Sequence, residues 1–249
     1  MLEIKNLTKT YPGGKTAVSH LSLSVEAGDI YGFIGHNGAG KTTTIKSIVG
    51  IIDFDEGEIW VDGQSTRDHA LECKQKTAYI PDNPDLYEYL TGIQYLGFMA
   101  DVFRISAEER EKRIAEYGAD FEMTSALGDL ISSYSHGMKQ KLAIMGALLH
   151  SPKLLILDEP FVGLDPQATA NLKGIMRRMC EQGTAIFFST HVLEVAEKLC
   201  NKVAIIKEGR LIDAGPIAQL TGGKSLEDVF LEVVNNAKAD QAADEHTAV

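Results

Sequence analysis

The segment Gly35–Thr43, with the sequence GHNGAGKTT, is the feature that most constrains how this chain folds. A glycine, four further residues, a second glycine, a lysine and a threonine have the spacing of a phosphate-binding loop. Asp29–Ile34 before the loop predicts a short buried strand, and Thr43–Val49 after it predicts a helix with Gly50 as its C-cap. Glycines let the backbone wrap around a triphosphate, so that amide groups point at its oxygens. The order of strand, loop and helix therefore predicts a nucleotide-binding α/β unit.

Two side chains of this loop have chemistry of their own. Lys41 is expected to reach the β- and γ-phosphates, and the Thr42 hydroxyl is expected to ligate Mg²⁺. The whole loop supplies the candidate nucleotide-binding residues Gly35, His36, Asn37, Gly38, Ala39, Gly40, Lys41, Thr42 and Thr43.

Composition narrows the class of protein. The net charge is −11, from 24 Lys+Arg against 35 Asp+Glu. This charge argues against a nucleic-acid binder, because such a protein would usually carry a basic face. The three cysteines are far apart in sequence, which predicts neither a disulfide framework nor a zinc site and favours a reducing cytosol. We see no N-terminal signal, and no apolar run approaches the roughly 20 residues of a membrane-spanning helix.

Secondary-structure signals divide the chain into three regions. The first has β character, with strands predicted at 2–7, 21–25, 58–61 and 77–80. Helical signals dominate from Tyr87 to His150, including capping patterns at Thr91 and Ser106 and a helix predicted at Gln140–Leu149. An α/β pattern then resumes, with buried strands at 154–157 and 184–189, a helix capped by Asp165 and Pro166 and closed by Gly183, a short helix at 192–199, and a hairpin at 203–214.

The apolar strand Leu154–Leu157 is followed by Asp158 and Glu159, which is the pattern of a Walker B element. The rigid strand is expected to place the Asp158 carboxylate beside Mg²⁺, directly or through water. Glu159 follows directly, at a position where a carboxylate can polarise the water that attacks the γ-phosphate.

A third motif, Ser132–Lys141 with the sequence SSYSHGMKQK, predicts a helix start with Ser135 as its N-cap. Together with the loop and the Walker B strand, in this order and spacing, it makes residues 2 to 220 resemble the ATP-binding subunit of an ABC transporter. The signature of that family is usually Leu-Ser-Gly-Gly-Gln. Ser135 and Gly137 match it here, whereas Tyr134, His136 and Met138 depart from it.

The resemblance implies that two subunits dimerise around two Mg·ATP, with Ser135 and Gly137 of one subunit closing over the γ-phosphate held by the other. It further implies that Tyr11 stacks on adenine and that His191 is the switch histidine, which acts with Glu159 and Lys41 in catalysis. Gly163–Asp165 corresponds to the D-loop, which touches the opposite subunit.

Asp82 stands where the family usually has a glutamine that contacts Mg²⁺ and the attacking water. An aspartate is shorter and anionic, so Asp82 is a candidate metal ligand whose effect on turnover stays open. In the family the loop that follows accepts a short helix of the membrane subunit. Tyr87, Tyr89 and Leu90 are candidate contacts there, with ordinary packing of the subdomain as an equal alternative for each.

We therefore expect an α/β fold, a P-loop NTPase (RecA-like) core with a mostly parallel sheet, an N-terminal antiparallel β layer and a helical subdomain inserted at about 82–150. Residues 1–220 are expected to form one ATPase domain, and 221–249 a short helix and an acidic, frayed tail. By resemblance the chain powers transport through integral membrane permease subunits, more in the manner of export systems, while bound to the inner face of the cell membrane from the cytoplasm. Its second cassette is another copy or a related subunit, and no nucleic acid is expected. The alternative is a soluble ABC-type ATPase of DNA repair, ribosome function or cofactor assembly.

Overall fold

The computed structural model describes residues 1–233, and strands in two sheets form its framework. The strands are β1 (Leu2–Thr10), β2 (Thr16–Val25), β3 (Ile30–Ile34), β4 (Glu56–Val61), β5 (Gln64–Ser65), β6 (Thr77–Ile80), β7 (Leu154–Asp158), β8 (Ala185–Thr190), β9 (Lys202–Lys207) and β10 (Arg210–Pro216).

The larger sheet has the order β10-β9-β3-β8-β7-β6. The strands from β9 to β6 are all parallel to their neighbours in this sheet, and only β10 runs antiparallel, against β9. The smaller sheet, β2-β1-β4-β5, is antiparallel throughout. The predicted fold class, with a mostly parallel sheet and an N-terminal antiparallel layer, is therefore confirmed.

Helices cover the larger sheet and form the middle region of the chain. They are α1 (Lys41–Ile48), α2 (Ala70–Lys76), α3 (Gly92–Val102), α4 (Ala107–Asp120), α5 (His136–Leu148), α6 (Pro166–Glu181), α7 (Leu193–Leu199) and α8 (Ile217–Thr221). Residues 226–233, which we call the C-terminal helical segment, are also helical. The expected tail from about Lys238 lies outside the described residues.

Alternation along the buried strands directs side chains to two separate cores, because successive residues of a strand point to opposite faces. Leu155 and Leu157 of β7 pack with the helical subdomain, in a cluster that includes Leu96 and Leu142. Leu154 and Ile156 point to the other face and pack with the N-terminal antiparallel sheet. The central sheet is thus covered on both sides, as its nearly continuous apolar strands predict.

The predicted helix starts are confirmed at the helices that a side chain caps. Thr91 forms a full capping box with Gln94, and Ser106, Ser135 and Asp165 each accept a hydrogen bond from a backbone amide in the first turn. At Ser106 the capping pattern with Glu109 is half formed, because only the bond from the Glu109 amide to the Ser106 side chain is present.

One helix prediction was wrong in its start, and one helix was missed. α1 begins at Lys41 rather than Thr43, whereas α5 begins at His136, directly after its predicted N-cap Ser135 and ahead of the predicted bound Gln140. In α1 the left-handed Gly40 lets the helix start directly after the glycine loop. α2 was not predicted at all. Its only buried residue is Cys73, so it has no apolar periodicity in sequence.

Parallel pairing brings four chemically important segments to one edge of the sheet. The strands β3, β8, β7 and β6 are consecutive neighbours, and their carboxyl ends lead to the phosphate loop, His191, Glu159 and Asp82. Ligands of open parallel sheets bind at this edge.

Candidate nucleotide-binding site

The phosphate loop lies tightly against the backbone of two neighbouring strands. A Cβ on Gly40 would approach the carbonyl oxygen of Ala17 to 2.4 Å, and a Cβ on Gly35 would approach that of Ile206 to 2.5 Å. Gly40 also has a φ of +107°, a left-handed conformation that other residues rarely adopt. Glycine is therefore required by space at both positions, and at Gly40 by conformation as well.

A cleft of ≈ 620 Å³ opens over this loop. Ten of the predicted site residues line it: Tyr11, His36, Asn37, Gly38, Gly40, Lys41, Thr42, Thr43, Asp82 and Glu159. Gly35 and Ala39 are buried within the loop. Asp158 is buried at the end of β7, and His191 reaches the site through Glu159.

Lys41 is buried and its ammonium group lies beside the loop backbone. The Nζ donates to the carbonyl oxygen of Gly35 at 2.7 Å and to that of His36 at 3.4 Å. It also lies 3.5 Å from the Oε1 of Glu159. A cation in this position can bind a phosphate oxygen by exchanging these carbonyls for it.

The Glu159 carboxylate lies between two groups that carry or can carry positive charge. Its Oε1 is 3.5 Å from Lys41 Nζ and 3.0 Å from the Nδ1 of His191. Its backbone has a φ of +49°, which is uncommon for a residue with a side chain. Strained backbone of this kind costs energy and is concentrated at functional sites.

Asp158 is fully buried, and its two carboxylate oxygens have different surroundings. Oδ1 accepts a hydrogen bond from the Ser189 hydroxyl, whereas Oδ2 is buried with no hydrogen-bond partner among the described residues. A buried anionic oxygen without a partner is costly unless a cation joins it. This arrangement fits Mg²⁺, which binds proteins through one or two carboxylates together with phosphate oxygens.

Thr42 and Asp82 are the other predicted metal ligands, and both line the cleft. Asp82 Oδ1 accepts from the amide of Asn83 at 2.9 Å, which leaves its second oxygen for another partner. Burial, and then the charges of Asp158 and Asp82, raise the pKa of Tyr79 above its usual value. Within residues 1–233 no group of three or more His, Cys, Asp or Glu side chains is arranged to hold a metal ion.

Tyr11 stands at the rim of the cleft with its ring partly exposed. Its hydroxyl is 3.3 Å from the Thr43 Oγ1, and the Lys9 Nζ lies 5.8 Å from the ring centroid. The hydroxyl contact thus holds the ring next to the phosphate loop, and its stacking on a base stays a prediction.

Ser135 and Gly137 do not line this cleft. Ser135 caps α5, where its Oγ accepts from the Met138 amide at 3.3 Å. Gly137 packs on the loop after β7, because a Cβ there would come within 2.8 Å of the Gly163 carbonyl oxygen. The two motifs predicted to meet at one phosphate are therefore separate within a single chain.

Sequence reasoning missed two parts of the site. Ser189 joins the Asp158 carboxylate to the Glu159 backbone, since its Oγ donates to Asp158 Oδ1 and accepts from the Glu159 amide at 3.0 Å. The turn at Glu208 and Gly209 lines the cleft together with Lys15, Thr16 and Ala17. Gly209 donates to the Ala39 carbonyl at 2.9 Å and so fastens the loop. The available signal was the pair of polar residues, Ser189 and Thr190, that ends an otherwise apolar strand beside β7.

The part of the chain that the structure describes contains no helix with the length and apolar character required to cross a membrane.

Comparison with known proteins identifies clear relatives. Residues 18–162 match the family model described as ABC transporter. The linearmycin resistance ATP-binding protein LnrL of Bacillus subtilis is 35% identical over 240 residues, which are 95% of this chain and 77% of that protein. The SkfA peptide export ATP-binding protein SkfE of the same organism is 34% identical over 212 residues, 85% of this chain and 87% of that protein. A solved ATP-binding subunit of an ABC transporter has 34% identity and a TM-score of 0.90, over 94% of this chain and 99% of that one.

Proposed function

The chain belongs to the ABC transporter family as an ATP-binding, ATP-hydrolysing subunit, and we propose that it drives an export-type transporter. The observation that carries the catalytic part is the position of Glu159, whose Oε1 lies near both Lys41 and His191 at the edge of the sheet. Export is supported by the relatives, among which one is named for peptide export.

We assign three catalytic roles from this geometry. Lys41 binds the transferring phosphoryl group and stabilises its developing negative charge. Glu159 orients and polarises the attacking water, and its position at the end of the rigid strand β7 fixes the direction of attack. His191, next to the same carboxylate oxygen, holds Glu159 in line.

Asp158 and Thr42, with Asp82 as a further candidate, would hold Mg²⁺ in this cleft. The ion, when bound, would neutralise phosphate charge. Asp158 is kept in place for this by Ser189, which fixes one of its oxygens and leaves the other without a partner.

Two copies, or this chain and a related subunit, are proposed to complete the site. Ser135 and Gly137 lie outside the cleft of their own chain, at the N-terminus of α5. A helix N-terminus with a serine hydroxyl is suited to an anionic phosphate group. In a dimer, this end of α5 would close over the nucleotide of the facing subunit.

The helical subdomain presents an aromatic surface that we propose as the docking site of a membrane permease. Tyr87 is 6.0 Å from Tyr89 and 5.8 Å from Phe98 between ring centroids. The side chains are exposed, Tyr89 by 75%, whereas Leu90 packs against the core. Exposed aromatic clusters typically mark protein contacts. Tyr87 and Tyr89 are therefore favoured over Leu90 as contacts, and docking here would hold the chain on the cytoplasmic face of the membrane.

The catalytic proposal is tested with Glu159→Gln. We expect the variant to bind ATP normally and to form a stable ATP-dependent dimer, with turnover reduced by at least about a hundredfold. Glu194→Gln is the matched control, since this exposed carboxylate on α7 pairs only with Lys198 among the contacts described for it. Turnover by Glu159→Gln at the rate of the control would refute the assignment.

The partner is tested by purifying tagged Glu159→Gln protein with ATP from detergent-solubilised membranes of its native host. A stoichiometric multi-span membrane protein is expected, and its loss in a Tyr87→Ala, Tyr89→Ala variant would locate the docking surface. Recovery only with ribosomes, DNA or a soluble complex would overturn the transporter assignment and favour the alternative soluble role.

A further inference from the structure

The C-terminal helical segment packs on the base of the phosphate loop. Leu226 is fully buried and Phe230 is 5% exposed, and both join a cluster that includes Ile34 and Ile205. Ile34 is the last residue of β3, directly before the loop. A part of the chain about 190 residues away in sequence therefore closes the core beneath the nucleotide cleft.

Phe230 also contacts the loop itself. Its ring lies 5.0 Å from the ring of His36 between centroids, at an interplanar angle of 67°. This is an edge-to-face arrangement, which is a favourable geometry for aromatic pairs. His36 is an exposed residue, and the edge of Phe230 is the contact described for its ring.

His36 has a central position in the loop. It is the residue after Gly35, it lines the cleft, and its carbonyl oxygen accepts from Lys41 Nζ at 3.4 Å. The loop around it contains left-handed glycines at 38 and 40, whose backbones have wide conformational freedom. A fixed His36 ring therefore restricts the loop at the point where the strand ends and the flexible glycines begin.

The same segment also abuts the helix that follows the switch histidine. The Leu226 amide donates to the Glu197 carboxylate on α7 at 3.3 Å, and Leu193 at the start of α7 packs on the same cluster. His191 precedes α7 by one residue, Val192. The segment thus contacts the structural supports of both Lys41 and His191.

We propose that Phe230 is a positioning residue for ATP binding, which acts by holding His36 and thereby the phosphate loop in its nucleotide-ready conformation. This role requires ATP binding in the cleft but not export or a permease, so it is tested on the purified chain alone and can fail separately from the transporter assignment.

The test is Phe230→Leu, which keeps an apolar side chain in the cluster and removes the ring. We expect the Kd and the KM for ATP to rise about two- to tenfold, the range that corresponds to one lost aromatic pair, with kcat little changed. Phe230→Tyr keeps the ring and is expected to restore the wild-type Kd.

Leu226→Ala is the matched control, because it creates a cavity in the same cluster from the same segment but has no ring against His36. It is expected to lower Tm by more than Phe230→Leu does and to leave the KM for ATP near the wild-type value. Equal increases of KM in the two variants would show that the segment acts only through general stability and would overturn the proposal.

A double-mutant cycle gives the second readout. In a His36→Ala background, Phe230→Leu is expected to cause no further change in the Kd for ATP, because the contact is already absent. The same fold-change in both backgrounds would show that Phe230 does not act through His36, and this would also overturn the proposal.

Discussion

Ser189→Ala is expected to destabilise the edge of the sheet where β7 and β8 end far more than the loss of one hydroxyl normally does. Ser189 is fully buried, donates to Asp158 Oδ1, and accepts from the Glu159 amide at 3.0 Å. Alanine removes both bonds. Asp158 then has neither carboxylate oxygen hydrogen-bonded to the described residues, since Oδ2 has no such partner to begin with.

The magnitude follows from the two groups left without partners. A buried donor or acceptor that loses its partner costs about 1–3 kcal/mol, and a charged group costs more. One neutral amide and one carboxylate oxygen together give about 3 kcal/mol. That is a large part of the 5–15 kcal/mol that typically stabilises a whole domain.

Ser47→Ala is the control, since Ser47 is also buried and its Oγ donates to a carbonyl, that of Thr43, at 3.0 Å. That carbonyl lies four residues back in α1, where the helix ladder already supplies a backbone donor. Removal of the Ser47 hydroxyl therefore leaves no group unpaired, and we expect a loss of less than about 1 kcal/mol.

Urea unfolding of both variants, without nucleotide and with Mg·ATP, measures the difference. Mg·ATP is expected to recover part of the loss in Ser189→Ala, because a cation at Asp158 compensates the carboxylate, and turnover is expected to fall because Glu159 loses its backbone anchor. If Ser189→Ala and Ser47→Ala lose equal stability, the bridging role of Ser189 is refuted.

Two further predictions concern the loop and the helical subdomain. Gly40→Ala is expected to abolish binding of a fluorescent ATP analogue and to destabilise the fold by about 2 kcal/mol or more, because its Cβ would meet Ala17 at 2.4 Å in a left-handed conformation. Gly97→Ala, in the interior of α3 with open space around it, should instead stabilise by about 0.5–1 kcal/mol, and a stability gain in both would contradict this reading of the loop. Burial lowers the pKa of His150 from 6.5 to about 4, so the unfolded chain binds more protons in this range. The free energy of unfolding should then fall as the pH drops from 6.5 toward 4 by on the order of 2 kcal/mol, after allowance for partial exposure of the ring. Urea titrations across this pH range should show that the free energy of unfolding declines less steeply in His150→Leu than in the wild type. An equally steep decline in both would contradict the assignment of this pH dependence to His150.

The sequence alone determined the parts of this protein that depend on residues close to one another along the chain. Some features involve only residues that lie a few positions apart, so the sequence alone predicts them. They are the glycine loop, the apolar strand ending in Asp158, and the capping residues Thr91, Ser135 and Asp165. The order of these motifs then indicated the family, and the fold class followed. Whether each predicted site residue binds or reacts as assigned stays a prediction.

The tertiary structure decided which segments far apart in sequence contact each other. Ser189 joins Asp158 and Glu159 from a neighbouring strand, and Gly209 holds Ala39 from the turn between β9 and β10. Phe230 reaches His36 across about 190 residues of sequence. No local pattern marks a serine at a strand end or a phenylalanine in a helix as a partner of a loop far away. Such pairs are set by strand order and by packing of the core, which depend on the complete fold.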